Sequence, residues 1–227
     1  MPEARLAVHA WPDGLADALA DLRGVGMTVL SVPTSLTARR TDARHAIRHA
    51  VQHTLAAFLD GPAASIALLS RPGQAPQVAA PGAGPVHLSI SHLPSFSVAA
   101  ISLQGAVGVD VMAIDTQSLP DWADVARDYL GPLAAKALQQ TPAHDRPAAF
   151  AHAWTALEAC LKCLGLGLTE WTPGLAARLQ ACTVISLTLP AGSCGVLAFQ
   201  PAAKGQHVDW PGLPLTLPAS SAGTRSR

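Results

Sequence analysis

An α+β fold is expected for this chain, and three observations carry the expectation. Residues with helical spacing of apolar positions fall in blocks, and runs with strand-like alternation follow them, first in one half and then in the other. The two blocks have similar lengths, and no sequence repeat joins them. With 227 residues, 49% of them hydrophobic and 13% charged, the chain can bury a core for one domain or two small ones.

The elements follow in order. A strand is expected at Thr28–Val32. A helix should run from Asp42, as N-cap, to Leu59, with Gly61-Pro62 ending it. A short strand over Ile66–Leu69 and a Gly/Pro-rich loop from Pro72 to Pro85 come next. Val86–Ser91 and Phe96–Leu103 alternate as strands, and Gln104-Gly105 turns the chain into a strand around Asp110. The second block offers a helix over Trp122–Gln140, a break at Pro142, and a helix over Pro147–Leu164 that Gly165 and Gly167 end. Strands at Val184–Leu189 and Gly195–Gln200 complete it. From Pro201 onward Pro, Gly and Ser dominate, and a loose tail is expected. Three regions follow: 1–104, 105–200 and 201–227.

Charge excludes some partners. Lys plus Arg number 15, as do Asp plus Glu, so no global field favours nucleic acid or an anionic membrane. No apolar run approaches the roughly 20 residues needed to span a bilayer. Met1-Pro2-Glu3-Ala4-Arg5 leads into no hydrophobic signal core, and a soluble, cytoplasmic protein is expected. Cys160 and Cys163 form a C-x-x-C that suits zinc or redox chemistry, but inside a helix both serve as small apolar packing residues, the reading preferred here. His45, His49 and His53 have metal-ligand spacing, yet Arg44 and Arg48 adjoin them, so a solvated helix face is preferred.

Two stretches carry charges that need a reason. In the helix, Trp154, Leu157, Leu161 and Leu164 share a core stripe, and Glu158 and Lys162 lie beside it one turn apart. In the strand, Val107, Val109 and Val111 point one way, while Gly108, Asp110 and Met112 point the other. Glu158 and Lys162 read alone as a surface ion pair worth roughly 0.2–0.5 kcal/mol, and Asp110 as a strand end. The sharper reading is a magnesium site, since one carboxylate on a strand and one on a packed helix supply the oxygen ligands Mg²⁺ prefers.

The segment Gly108-Val109-Asp110-Val111-Met112, followed by Phe150, Trp154, Thr155, Glu158, Ala159, Lys162 and Gly165 at fixed spacing, resembles the paired signature of the 4′-phosphopantetheinyl transferases. The likeness is specific over residues 86–168. It implies two similar α/β halves related by a pseudo-twofold axis, with the active site in the cleft between them, in the long, monomeric type. It implies transfer of the phosphopantetheine arm of coenzyme A to a serine of an acyl or peptidyl carrier protein, as in holo-[acyl-carrier-protein] synthases, with Mg²⁺ as cofactor. Asp110 and Glu158 match the metal carboxylates. Lys162 matches the lysine that reaches the phosphates, and Glu158 is also the candidate base, directly or through a metal-held water. Ser91-His92 resembles the element whose histidine meets the 3′-phosphate. Arg71 and Gly73 fall at a phosphate-holding loop, with Arg39, Arg40 and Arg44 as further phosphate candidates. Three positions depart from the family pattern: Met112 replaces a third carboxylate, Leu157 a lysine, and Gln74 a basic residue. They motivate the alternative of a non-catalytic homologue that binds coenzyme A or a carrier protein.

Overall fold

The computed structural model describes residues 5–37, 39–71, 74–114 and 121–200. Gly73 and the segment from Pro201 onward therefore lie outside the described residues. The first part of the chain forms strands β1 (Arg5–Leu6) and β2 (His9–Ala10), helix α1 (Leu15–Val25), strand β3 (Met27–Pro33) and helix α2 (Arg40–Phe58). Strands β4 (Ala67–Leu69), β5 (Gln77–Ala79), β6 (His87–His92), β7 (Phe96–Ser102) and β8 (Val107–Ala113) follow. Then come α3 (Trp122–Val125), a π-helical turn (Ala126–Leu130), α4 (Pro132–Gln140), α5 (Arg146–Cys163), α6 (Pro173–Leu179), β9 (Thr183–Leu187) and β10 (Ser193–Phe199).

The architecture is mixed α+β, as expected. A six-stranded sheet has the order β2-β3-β7-β6-β5-β4, and a four-stranded sheet the order β1-β9-β10-β8. Alternation within each strand divides its side chains between two layers. Val98 and Ala100 of β7 join Val29 of β3 and Val107, Val109, Val111 and Leu197 of the other sheet in a core between the sheets. Ala99 and Ile101 face the opposite way, onto Leu22 of α1 and Ile47, Val51 and Leu55 of α2. Helix α5 covers the outer face of the four-stranded sheet, where Ala159, Cys160 and Cys163 meet Val196 and Ala198.

Several elements differ from expectation for local reasons. The single helix expected over Trp122–Gln140 is interrupted at Gly131, whose φ of 85° leaves the helical region, and Pro132 restarts the chain as α4. Asp42 does not cap α2 from outside. It sits in the first turn and accepts a hydrogen bond from the Arg39 N–H at 3.2 Å. Helix α1 was missed because only Ala18 and Leu22 are buried on it. Helix α6 is two turns long, capped by the Thr172 hydroxyl on the Leu175 N–H at 3.0 Å. Strand β5 is three residues inside the Gly/Pro-rich loop.

Strand β8 is an edge strand, and two hydroxyls from the other sheet cover its edge. The Val109 N–H donates to Ser89 Oγ at 3.0 Å and the Val111 N–H to Ser91 Oγ at 3.3 Å. On its other side β8 meets α5 almost backbone to backbone. A Cβ placed on Gly108 would lie 1.9 Å from the Ala159 carbonyl oxygen and 2.5 Å from the Cys163 nitrogen. Only glycine fits there, which gives the glycine of the strand motif and the alanine of the helix motif one shared cause. Gly108→Ala must therefore lift the helix from the strand, at about 1–3 kcal/mol or more. Chemical denaturation measures this, and an unchanged midpoint would show that the contact is looser than described.

Candidate active site

The seat at Gly108 fixes what lies two residues further along β8. Asp110 is buried and shares its face with Gly108. Its Oδ1 accepts from Lys162 Nζ at 2.7 Å and from Ser91 Oγ at 2.8 Å, and the same ammonium donates to the Val109 carbonyl at 3.0 Å. Lys162 lies one residue before Cys163, so the strand–helix contact delivers the amine to the carboxylate. The i,i+4 ion pair with Glu158 is not formed among the described residues; the lysine pairs with the strand instead. Glu158 is half-buried near both groups. Burial pushes its carboxyl up, the Asp110 charge adds to this, and Lys162 opposes it.

The motif residues around this centre have structural tasks. Thr155 is fully buried, and its hydroxyl donates to the Ala151 carbonyl at 2.8 Å. Phe150 stacks on Trp154 with centroids 6.0 Å apart, and Tyr129 meets Trp154 edge-on at 5.8 Å, which docks the π-helical turn on α5. Met112 packs in this aromatic cluster with Trp122, Phe150 and Trp154. The position where a third carboxylate was sought is therefore filled by apolar packing. Leu157 and Leu161 are buried against Leu175, a wall separate from the one that Ala151, Thr155 and Ala159 make. Both sides of α5 are thus covered, and the sequence stripe showed one of them.

A cleft of about 790 Å³ opens beside Asp110, with Ser91, His92 and Lys162 on its wall. Arg40, Arg44 and Arg48 line it from α2, and Arg71 lines it from the loop after β4. Of the expected site residues, Arg44, Arg71, Ser91, His92 and Lys162 thus meet in one place, with Asp110 bonded to two of them. Arg39 does not line the cleft. Arg48 was read only as a neighbour of the histidines, although Arg40, Arg44 and Arg48 form an i,i+4,i+8 ridge. It donates to Ser70 Oγ at 2.7 Å and to the Leu68 carbonyl, tying α2 to the strand that leads to Arg71. His92 lies 2.7 Å from Ser97 Oγ, and its pKa is lowered, first by burial and then by Arg44, Arg40 and Lys162. A half-buried imidazole kept from its proton first by burial and then by the cations around it marks a pocket suited to a polyanion.

His45, His49 and His53 are exposed, as expected for a solvated face, with Trp11 edge-on to His49 at 5.3 Å. Cys160 and Cys163 are buried, and burial together with nearby Cys182 pushes both thiols up to about 12, so they are neutral packing groups. Among the described residues no group of three or more His, Cys, Asp or Glu is arranged to hold a metal ion. The two carboxylates that converge near Lys162 nonetheless fit a hard divalent cation, because Mg²⁺ takes one or two carboxylates and keeps its remaining waters.

The chain is thus an α+β protein with a basic cleft, walled in part by the lysine that pairs with Asp110. Residues 106–207, a little under half of the chain, match the family model of the 4′-phosphopantetheinyl transferase superfamily. The match supports a phosphopantetheinyl transferase activity at the family level. It takes in Asp110, Glu158 and Lys162 but leaves Arg44, Arg71 and His92 outside. No curated protein matches the chain. No helix among the described residues is long and apolar enough to cross a membrane.

The raised Glu158 pKa has a signed consequence. The folded state holds this proton to higher pH than the unfolded chain, so stability is lost as pH rises from the ordinary carboxylate value through the raised one. Glu158→Gln should therefore raise the melting temperature at neutral pH in metal-free buffer, and the gain should shrink as pH falls below the ordinary carboxylate range. A gain that is the same at every pH would show that the carboxylate is not strained by its site.

Proposed function

We propose that this protein moves the phosphopantetheine arm of coenzyme A onto a serine of an acyl or peptidyl carrier protein, with Mg²⁺ bound by Asp110 and Glu158. The observation that supports this best is that Lys162, paired with Asp110, lines the same cleft as Arg40, Arg44, Arg48 and Arg71. In that reading residues 1–104 supply the coenzyme A wall and residues 105–200 the reacting centre. Arg44 and Arg71 meet the phosphates, and His92 meets the 3′-phosphate, where an anion would restore the proton its cationic surroundings disfavour. The bound Mg²⁺ supplies charge neutralisation at the pyrophosphate.

The chain's own groups then do the remaining work. Glu158, directly or through a metal-held water, would take the proton from the carrier serine as the serine oxygen bonds to the β-phosphorus. The bond from that phosphorus to the bridging oxygen breaks, and adenosine 3′,5′-bisphosphate leaves with the electron pair. Lys162 meets the charge that grows on the leaving group. One observation favours the second reading, a non-catalytic homologue that binds coenzyme A or a carrier: Met112 is locked in apolar packing, so the donor set stops at two carboxylates.

Incubation with coenzyme A, Mg²⁺ and a panel of apo-carrier proteins should give a carrier mass gain of one phosphopantetheine arm. Coenzyme A binding with no mass gain on any carrier would favour the second reading. Asp110→Ala should remove the mass gain and leave the protein folded by circular dichroism. Lys162→Ala should lower kcat more than it raises KM, by about 10²–10³, and Lys162→Arg should recover only part of this, since a planar guanidinium fits poorly where a compact ammonium sat. Equal kcat values for Lys162→Ala and the parent would return the lysine to a structural role.

A further inference from the structure

We propose that Lys162 is the internal counter-ion of Asp110 and holds the place a divalent cation takes, so that metal binding drives the lysine out into the arginine-lined cleft. The inference rests on the transferase reading only in assigning Asp110 and Glu158 to the metal. Asp110 Oδ1 already carries two donors, Lys162 Nζ at 2.7 Å and Ser91 Oγ at 2.8 Å. An ammonium and a hard cation on one carboxylate repel each other and share a single negative charge. Position 112 offers no further carboxylate to share the load.

Which partner moves is decided by exposure. The Asp110 side chain is 12% exposed and sits on a strand, while the Lys162 side chain is 30% exposed and ends a flexible stem on the cleft wall. The hydroxyl of Ser91 stays, because it also accepts the Val111 N–H of the strand it covers. Lys162 already lines the cleft, so the expelled ammonium can swing into the space that Arg44 and His92 also line. There it adds a positive charge only when the metal is in place. Lysine and metal thus act in sequence: the pair keeps the buried carboxylate compensated in the empty protein, and the phosphate-binding charge of the cleft is completed by the cation.

The test uses the full chain and the metal alone. The chain has three lysines, Lys136, Lys162 and Lys204, so selective ¹³C labelling of lysine gives few side-chain signals to assign. Titration with Mg²⁺ should shift the Lys162 signal and leave that of Lys136 in place. Mn²⁺ binding followed by electron paramagnetic resonance should tighten about tenfold in Lys162→Gln. Arg44→Gln removes an equal charge from the same cleft without touching Asp110, so it should tighten binding far less. Metal binding with an unmoved Lys162 signal would overturn the proposal, as would equal effects of the two substitutions. Failure of the parent and of Lys162→Gln to bind either metal would also overturn it, whereas the transferase reading stands or falls separately on the carrier mass gain.

Discussion

The contact between two backbones at Gly108 and Ala159 sets the geometry on which the rest of the site depends. A helix packed on a sheet through large side chains stands well clear of it. Here the missing Cβ of Gly108 lets α5 settle onto β8 until carbonyl and strand nearly touch. At that separation a lysine on the last turn of the helix reaches a carboxylate two residues along the strand. A wider gap would leave Asp110 buried without compensation, which is costly. The glycine, the alanine, the aspartate and the lysine are therefore one device, although they lie in two motifs far apart in sequence.

Much of this was legible in advance. The strand faces of Val107–Met112 and the span of α5 followed from periodicity, and the unusual placement of Asp110, Glu158 and Lys162 flagged them. What periodicity could not show is which of two carboxylates the lysine chooses, since i,i+4 spacing favours Glu158 while tertiary packing delivers Lys162 to Asp110. The small residues on the sheet side of α5 carry no hydropathic signal, so that wall was invisible. Ser89 and Ser91 read as polar positions of an alternating strand, and nothing local says that their hydroxyls cover an edge strand of another sheet. Arg48 was hidden by its histidine neighbours. The short elements α1, α6 and β5 bury too few residues to stand out.

The cleft combines exposed basic side chains with partly buried ones. Arg40, Arg44 and Arg71 are exposed. His92 and Lys162 are partly buried, and each answers to what lies next to it. The exposed arginines attract a polyanion at long range, and the inner pair responds once it has arrived. Burial first, and the neighbouring positive charges after it, lower the His92 pKa.

The strand β1 has a consequence for how the molecule is assembled. Arg5 and Leu6 run parallel to β9 in the four-stranded sheet, while β2, three residues later, belongs to the six-stranded one. The described residues thus start in the four-stranded sheet, cross over, and complete that sheet only when β9 and β10 have been made. During synthesis β1 is made well before its partner β9 and waits while the strands of the six-stranded sheet are laid down. The order of synthesis and the order of closure are opposed, so the last sheet to form joins both ends of the described chain.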